Sequence, residues 1–236
     1  MFEQRSPDWF NQRMQDGGPV YMETRPEGLI VEPWNAFSSL LILIPAIYWI
    51  YRMRKEGNRD FLMWAVVILV ISGGLGSALF HAFRVSVFFL IMDVLPSAIL
   101  TLTLSVYFWI KVLKKWWYAL IVIIGLFGIR YLIWGRLPEH TSINISYFIT
   151  GLSIGLPLII FLFKTGFRGW QLVTAAIVSF IVALIFRQTD HIYLSMLPMG
   201  THFLWHSFSA VGAWFILGYL YMITYKHLEV TEIDQT

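Results

Sequence analysis

Two histidines, His202 and His206, stand four residues apart at the head of a long apolar run, Thr201 to Thr224. Four residues is just over one helical turn, so in a helix both imidazoles leave the same face. Titratable rings buried in hydrocarbon need a compensating partner. A metal satisfies both rings, and zinc takes histidine readily. Two ligands do not hold a zinc ion, so the rest of the chain must supply at least one more. There is no cysteine among the 236 residues, which leaves His, Asp, Glu or backbone oxygen for the task and excludes disulfides and a thiol nucleophile.

The elements that must position such ligands are membrane helices. The chain is 58% hydrophobic and 13% charged, about half the charge of an average soluble domain. A net charge of +3 on so apolar a chain does not suggest a nucleic-acid partner. Seven apolar runs, at about 34–51, 61–83, 87–110, 116–134, 143–163, 169–186 and 201–224, are each near the roughly 20 residues that cross a bilayer. The expected fold is therefore an all-α integral membrane protein, a seven-transmembrane helix bundle over residues 34–225. A polar segment, 1–33, precedes it without the apolar stretch of a signal peptide, and a short tail, 226–236, follows it. Lys and Arg are denser in the first, third and fifth loops and at the C-terminus: Arg52, Arg54, Lys55 and Arg59, then Lys111, Lys114 and Lys115, then Lys164, Arg168 and Lys226. The positive-inside rule then sets the N-terminus outside and the C-terminus in the cytoplasm.

With that topology the polar residues inside the spans can be ranked by depth. The second span ends at His81, with Ser77 one turn earlier on the same face; the third carries Asp93 near its start; the seventh begins with His202 and His206. All five fall in the outer half of the membrane. Three imidazoles around zinc leave a fourth position for water, whose pKa zinc lowers to about 7. Asp93 is the one acidic residue within the expected spans, so it is the candidate to orient that water and shuttle its proton, or to fix a histidine tautomer. Ser77 can hydrogen-bond an oxyanion or a substrate hydroxyl; equally, it is a small packing residue beside Gly73, Gly74 and Gly76. Such a site within the bilayer implies a lipid substrate. His140, His191 and His227 are expected at the surface, and Arg187 with Asp190 as a local ion pair in the loop before the last span.

These residues resemble a known pattern. Ser-x-x-x-His on the second span (Ser77, His81), Asp on the third (Asp93) and His-x-x-x-His on the seventh (His202, His206) are similar to the seven-span hydrolases that include alkaline ceramidases and the progestin and adiponectin receptors. Glu32-Pro33-Trp34-Asn35-Ala36-Phe37-Ser38 resembles the alkaline ceramidase branch. Arg187 to Asp190, followed by Pro198 to His206, is similar to its bacterial members. The resemblance spans about Tyr21 to Tyr225. It implies a ceramidase that cleaves ceramide to a sphingoid base and a fatty acid, with zinc on His81, His202 and His206, Asp93 as proton shuttle and Ser77 at the substrate carbonyl. It implies a second cofactor as well, calcium, with Glu23, Glu32 and the aromatic Tyr21 in its site. Pro19 and Val20 stand where that pattern has an acidic residue, and Arg25 stands at another ligand position.

Two other functions are compatible with the same residues. One is a phospholipase or another lipid amidase; the other is a lipid receptor or scaffold with a structural zinc. A bacterial inner membrane is favoured by the short loops and the lack of cysteine, and the endoplasmic reticulum is also compatible.

Overall fold

The computed structural model describes residues 12–133, 136–137 and 139–225, the side chains of 139–141 and 144 excepted. His227 and the tail from 226 lie outside the described residues, as do the His140 side chain and the first eleven residues. The described chain is helical: α1 (Pro33–Ser39), a 3-10 turn (Leu40–Ile42), α2 (Leu43–Lys55), α3 (Phe61–Phe83), α4 (Val87–Leu113), α5 (Trp116–Ile133), α6 (Glu139–Lys164), α7 (Trp170–Thr189) and α8 (His202–Tyr225). Among the described residues seven helical spans are long and apolar enough to cross a membrane, with α1, the turn and α2 forming the first. That is the all-α, seven-span architecture expected from hydropathy. The first helix runs on to Lys55, past the expected end, because Arg52, Arg54 and Lys55 are favourable in the last turn of a helix.

The helices fall into two compact units. The first contains everything described up to Ala98 and from Gln171 onward; the second contains residues 99–170. In the second unit Trp109, Ala119 and Ile123 form a buried core. Ser105 Oγ donates to the Ser153 carbonyl at 2.8 Å, and Lys164 Nζ donates to the Val112 carbonyl at 2.9 Å. The first unit holds all the candidate site residues, and the remainder of this description concerns it.

Two features bring α3 against α4 there. Pro96 lies inside α4 and has no N–H, so the Met92 carbonyl lacks the donor it would have one turn later. That carbonyl faces Gly76 of α3, where an added Cβ would lie 2.0 Å from the Met92 oxygen. Any side chain at position 76 would force the backbones apart. Gly73 meets Pro96 and Ser97 of α4, whereas Gly74 meets Ile42 and Leu43 on the other side of α3. The small residues thus serve close helix packing, as small residues in membranes commonly do.

The remaining restraints come from capping. Asp60 Oδ1 accepts the Met63 N–H at 2.8 Å to start α3. At its far end Arg84 takes a left-handed conformation (φ 52°), which turns the chain out of the helix. The extended residues Val31 and Glu32 then donate their N–H groups to the Ala82 and His81 carbonyls at 2.9 and 3.0 Å. Those carbonyls sit in the last turn of α3, where a helix has no N–H donors of its own to offer them. At the opposite end of the unit α2 and α8 are joined by Glu56. Its carboxylate is hydrogen-bonded by Tyr221 and paired with Arg52 at 2.5 Å, and its backbone carbonyl accepts from the Tyr225 hydroxyl at 3.1 Å.

Gly76→Ala is expected to lower stability in detergent by about 1–3 kcal/mol, the usual cost of overpacking. Gly125→Ala and Gly128→Ala, where an added Cβ meets nothing within 4 Å, are expected to be neutral or slightly stabilising. Thermal unfolding of the three variants checks the contrast.

Candidate metal centre

The three histidines expected as ligands converge. His81 ends α3, and His202 and His206 open α8. They are 1%, 3% and 3% exposed, so each ring nitrogen needs a partner within the protein or a bound ion. One ligand atom from each lies within 4.8 Å of the other two, near enough for a single ion to bridge them. The ring centroids are 4.8 Å apart for His202 and His206, 4.9 Å for His81 and His206, and 5.4 Å for His81 and His202. Among the described residues this is the one such gathering of three metal-ligating side chains.

The outer hydrogen bonds set the tautomers. His81 Nδ1 lies 2.5 Å from Glu32 Oε2; as N–H it donates to that carboxylate and leaves Nε2 a free lone pair. His206 Nδ1 lies 2.6 Å from Ser39 Oγ. The Ser39 hydroxyl hydrogen has other acceptors, the Asn35 carbonyl at 2.8 Å and Ser77 Oγ at 3.1 Å. So His206 Nδ1–H donates to Ser39, and Nε2 is left to coordinate. His206 Nε2 and His202 Nδ1 are both buried with no hydrogen-bond partner. A bound cation is what such orphaned nitrogens fit, and imidazole donors suit zinc, copper, iron or nickel. A carboxylate or hydroxyl behind each metal-facing imidazole is the usual support of a metal site.

Asp93 and Ser77 join the same centre. Ser77 is buried, Asp93 is half-buried, and the Ser77 hydroxyl stands close enough to the Asp93 carboxylate to stabilise its charge. The close approach of Gly76 to Met92 places these next residues of α3 and α4 side by side. Ser39 links His206 to Ser77, and Asp93 stands beside Ser77. Ser39 was not anticipated from sequence, because a single serine at the end of a short helix has no distinguishing spacing.

The N-terminal segment closes over this centre. The Tyr21 ring lies 4.0 Å from the His202 ring and 5.3 Å from the His81 ring, centroid to centroid. Asp190 holds the segment down: its carboxylate accepts the N–H groups of Thr201 and His202 at 2.8 Å and of Met22 at 3.1 Å. It thereby starts α8 and ties the Tyr21 loop to the helix that carries two ligands, a wider role than bracing its own loop. Gly200 (φ 82°) is required between them, since a Cβ there would lie 2.3 Å from Asp190 Oδ1. Burial raises the pKa of Asp190, against the pull of these three N–H groups. His191 is exposed, as expected.

Glu23 and Glu32, expected around calcium, have other partners. Glu23 accepts the backbone N–H groups of Trp34 and Asn35, the second at 3.0 Å, and so caps α1. Burial pushes its pKa up to about 7. Glu32 is fully buried; Oε1 accepts from Thr24 Oγ1 at 2.6 Å and from Arg84 Nη1, and Oε2 faces His81. The Tyr21 ring faces the histidines. These oxygens do not converge on an empty cation position, and a guanidinium already stands against Glu32.

Protein purified in detergent is expected to carry about one transition-metal ion, and single alanine replacements of His81, His202 or His206 to remove it. Ser39→Ala is expected to weaken metal affinity by roughly 10-fold or more; elemental analysis and chelator competition measure both. No family model matches the chain, and no curated protein is significantly similar to it.

Proposed function

We propose that the chain is a metal-dependent hydrolase of a membrane lipid amide, with ceramide as substrate and a sphingoid base and a fatty acid as products. The observation that carries this reading is Asp93 standing beside Ser77 next to three buried imidazoles, two of which, His202 and His206, have unpartnered nitrogens. Unlike Glu32, Asp93 has no imidazole nitrogen as its hydrogen-bond partner among the described residues, which leaves its carboxylate for a proton-transfer role. Zinc is the ion that fits a three-imidazole set with a hydrolytic role; bound there, it supplies Lewis acidity and water of lowered pKa. The resemblance of Ser77, His81, Asp93, His202, His206 and the Glu32–Ser38 stretch to alkaline ceramidases supports ceramide over other amides.

The chain's own residues divide the work. Hydrolysis joins a water oxygen to the acyl carbon and breaks the C–N bond. Asp93 accepts the proton that water loses and returns it to the departing amine nitrogen, so carboxylate and solvent protons balance over one turnover. Ser77 donates to the oxygen of the acyl group as charge builds on it. Ser39 and Glu32 hold the imidazoles of His206 and His81 in register. The apolar flanks of α3, α4 and α8 admit the acyl chain from the bilayer. The Lys and Arg distribution supports an N-terminal segment outside and a cytoplasmic C-terminus, with the lack of cysteine favouring a bacterial inner membrane.

Zinc-loaded protein is expected to release fatty acid from ceramide in detergent micelles. Asp93→Asn should lower kcat by roughly 100-fold or more while leaving metal content unchanged. Hydrolysis of lipid esters alone, across a panel assayed with one preparation, would replace ceramidase by phospholipase. Full metal occupancy with lipid binding and no turnover would make the protein a receptor or scaffold.

A further inference from the structure

Arg84 is the least expected residue near the centre. Its side chain is fully buried, at the membrane-helix end where basic residues usually reach for solvent. Nε donates to Asp16 Oδ2 at 2.6 Å, Nη2 to Asp16 Oδ1 at 3.2 Å and to the Pro19 carbonyl at 2.9 Å, and Nη1 to Glu32 Oε1. The guanidinium also lies 4.4 Å from the Phe80 ring centroid. Asp16 and Glu32 are each 0% exposed. Four buried donor contacts to two carboxylates and a carbonyl surround one cation, and that cation is part of the chain.

Through Glu32 the set reaches the metal centre, because the other Glu32 oxygen is the partner of His81 Nδ1. The order is Asp16–Arg84–Glu32–His81. Calcium takes six to eight oxygens; here the Glu32 oxygens are occupied by N–H and O–H donors, the Glu23 oxygens by backbone amides, and Pro19 and Val20 offer no side-chain oxygen. A divalent ion beside Glu32 would also meet the guanidinium head-on. We infer that Arg84 is a resident cation standing in for calcium, so that the N-terminal segment is clamped to α3, and Glu32 is aimed at His81, without any second metal.

In this arrangement Arg84 is a positioning residue. It holds one oxygen of Glu32 so that the other presents to His81, and it pins the segment that carries Tyr21 over His202. The two carboxylates and one guanidinium leave one net negative charge behind His81, which favours a cation in front of it. The inference rests on the three histidines being a metal centre, but not on ceramide being the substrate.

The experiment measures thermal unfolding and zinc affinity of the protein in detergent, in calcium-free buffer and with millimolar calcium. Wild-type protein is expected to give the same unfolding temperature and the same zinc affinity in both. A calcium-dependent rise in either overturns the inference. Arg84→Met leaves Asp16 and Glu32 buried without a cation; its zinc affinity is expected to fall by roughly 10- to 100-fold in calcium-free buffer. Arg84→Lys, which keeps the charge, is expected to recover part of that loss. An Arg84→Met protein that folds and binds zinc as wild type does removes the link through Glu32 and also overturns it. If Arg84→Met does not fold, the wild-type comparison still decides. Neither readout needs turnover, so a wrong substrate assignment cannot mimic these results.

Discussion

A buried polar nitrogen without a partner costs roughly 1–3 kcal/mol, and the first unit buries several of them at one end of its helices. His202 Nδ1 and His206 Nε2 are both in that state, on side chains that are each 3% exposed. Much of the surrounding structure follows from holding these rings in place. Glu32 and Ser39 fix the outward nitrogens of His81 and His206. Asp190 anchors the first turn that presents His202. The arrangement makes sense as a metal centre; as bare packing it would be a cluster of unpaid penalties.

The same unit shows how backbone chemistry can set a site. Pro96 takes one donor away from α4, and Gly76 removes the side chain that would keep α3 at a distance. The helices meet at that point, which brings the next residues, Ser77 and Asp93, together. On the other flank, the turn at Arg84 sends the chain out of α3, and the backbone of Val31 and Glu32 pairs with its last carbonyls. That pairing delivers the Glu32 carboxylate to His81. Local conformational rules thus place groups that belong to distant parts of the sequence.

The spans were legible because hydropathy is a local signal, and the expected and observed helices differ mainly at ends set by charge and capping. His81, His202, His206, Ser77 and Asp93 were legible from helical spacing and common depth, and the structure gathers them. Ser39, Arg84 and Asp16 were not. Ser39 meets His206 across 167 residues and Arg84 meets Asp16 across 68, and no periodicity links such pairs. Arg84 read only as one more basic residue at a membrane boundary. Glu23 and Glu32 were recognised as significant positions, but their types alone could not say whether a metal, an arginine or a helix terminus would take their charge.

The central claim, a three-histidine metal centre formed by α3 and α8, is tested most directly by X-ray absorption at the metal edge of the purified protein. A first shell of three nitrogen donors at about 2.0–2.1 Å with imidazole scattering beyond them, plus one light oxygen ligand, is the predicted result for zinc. An absorbing metal surrounded by oxygen alone, or a shell unchanged when His81 is replaced by alanine, would contradict it.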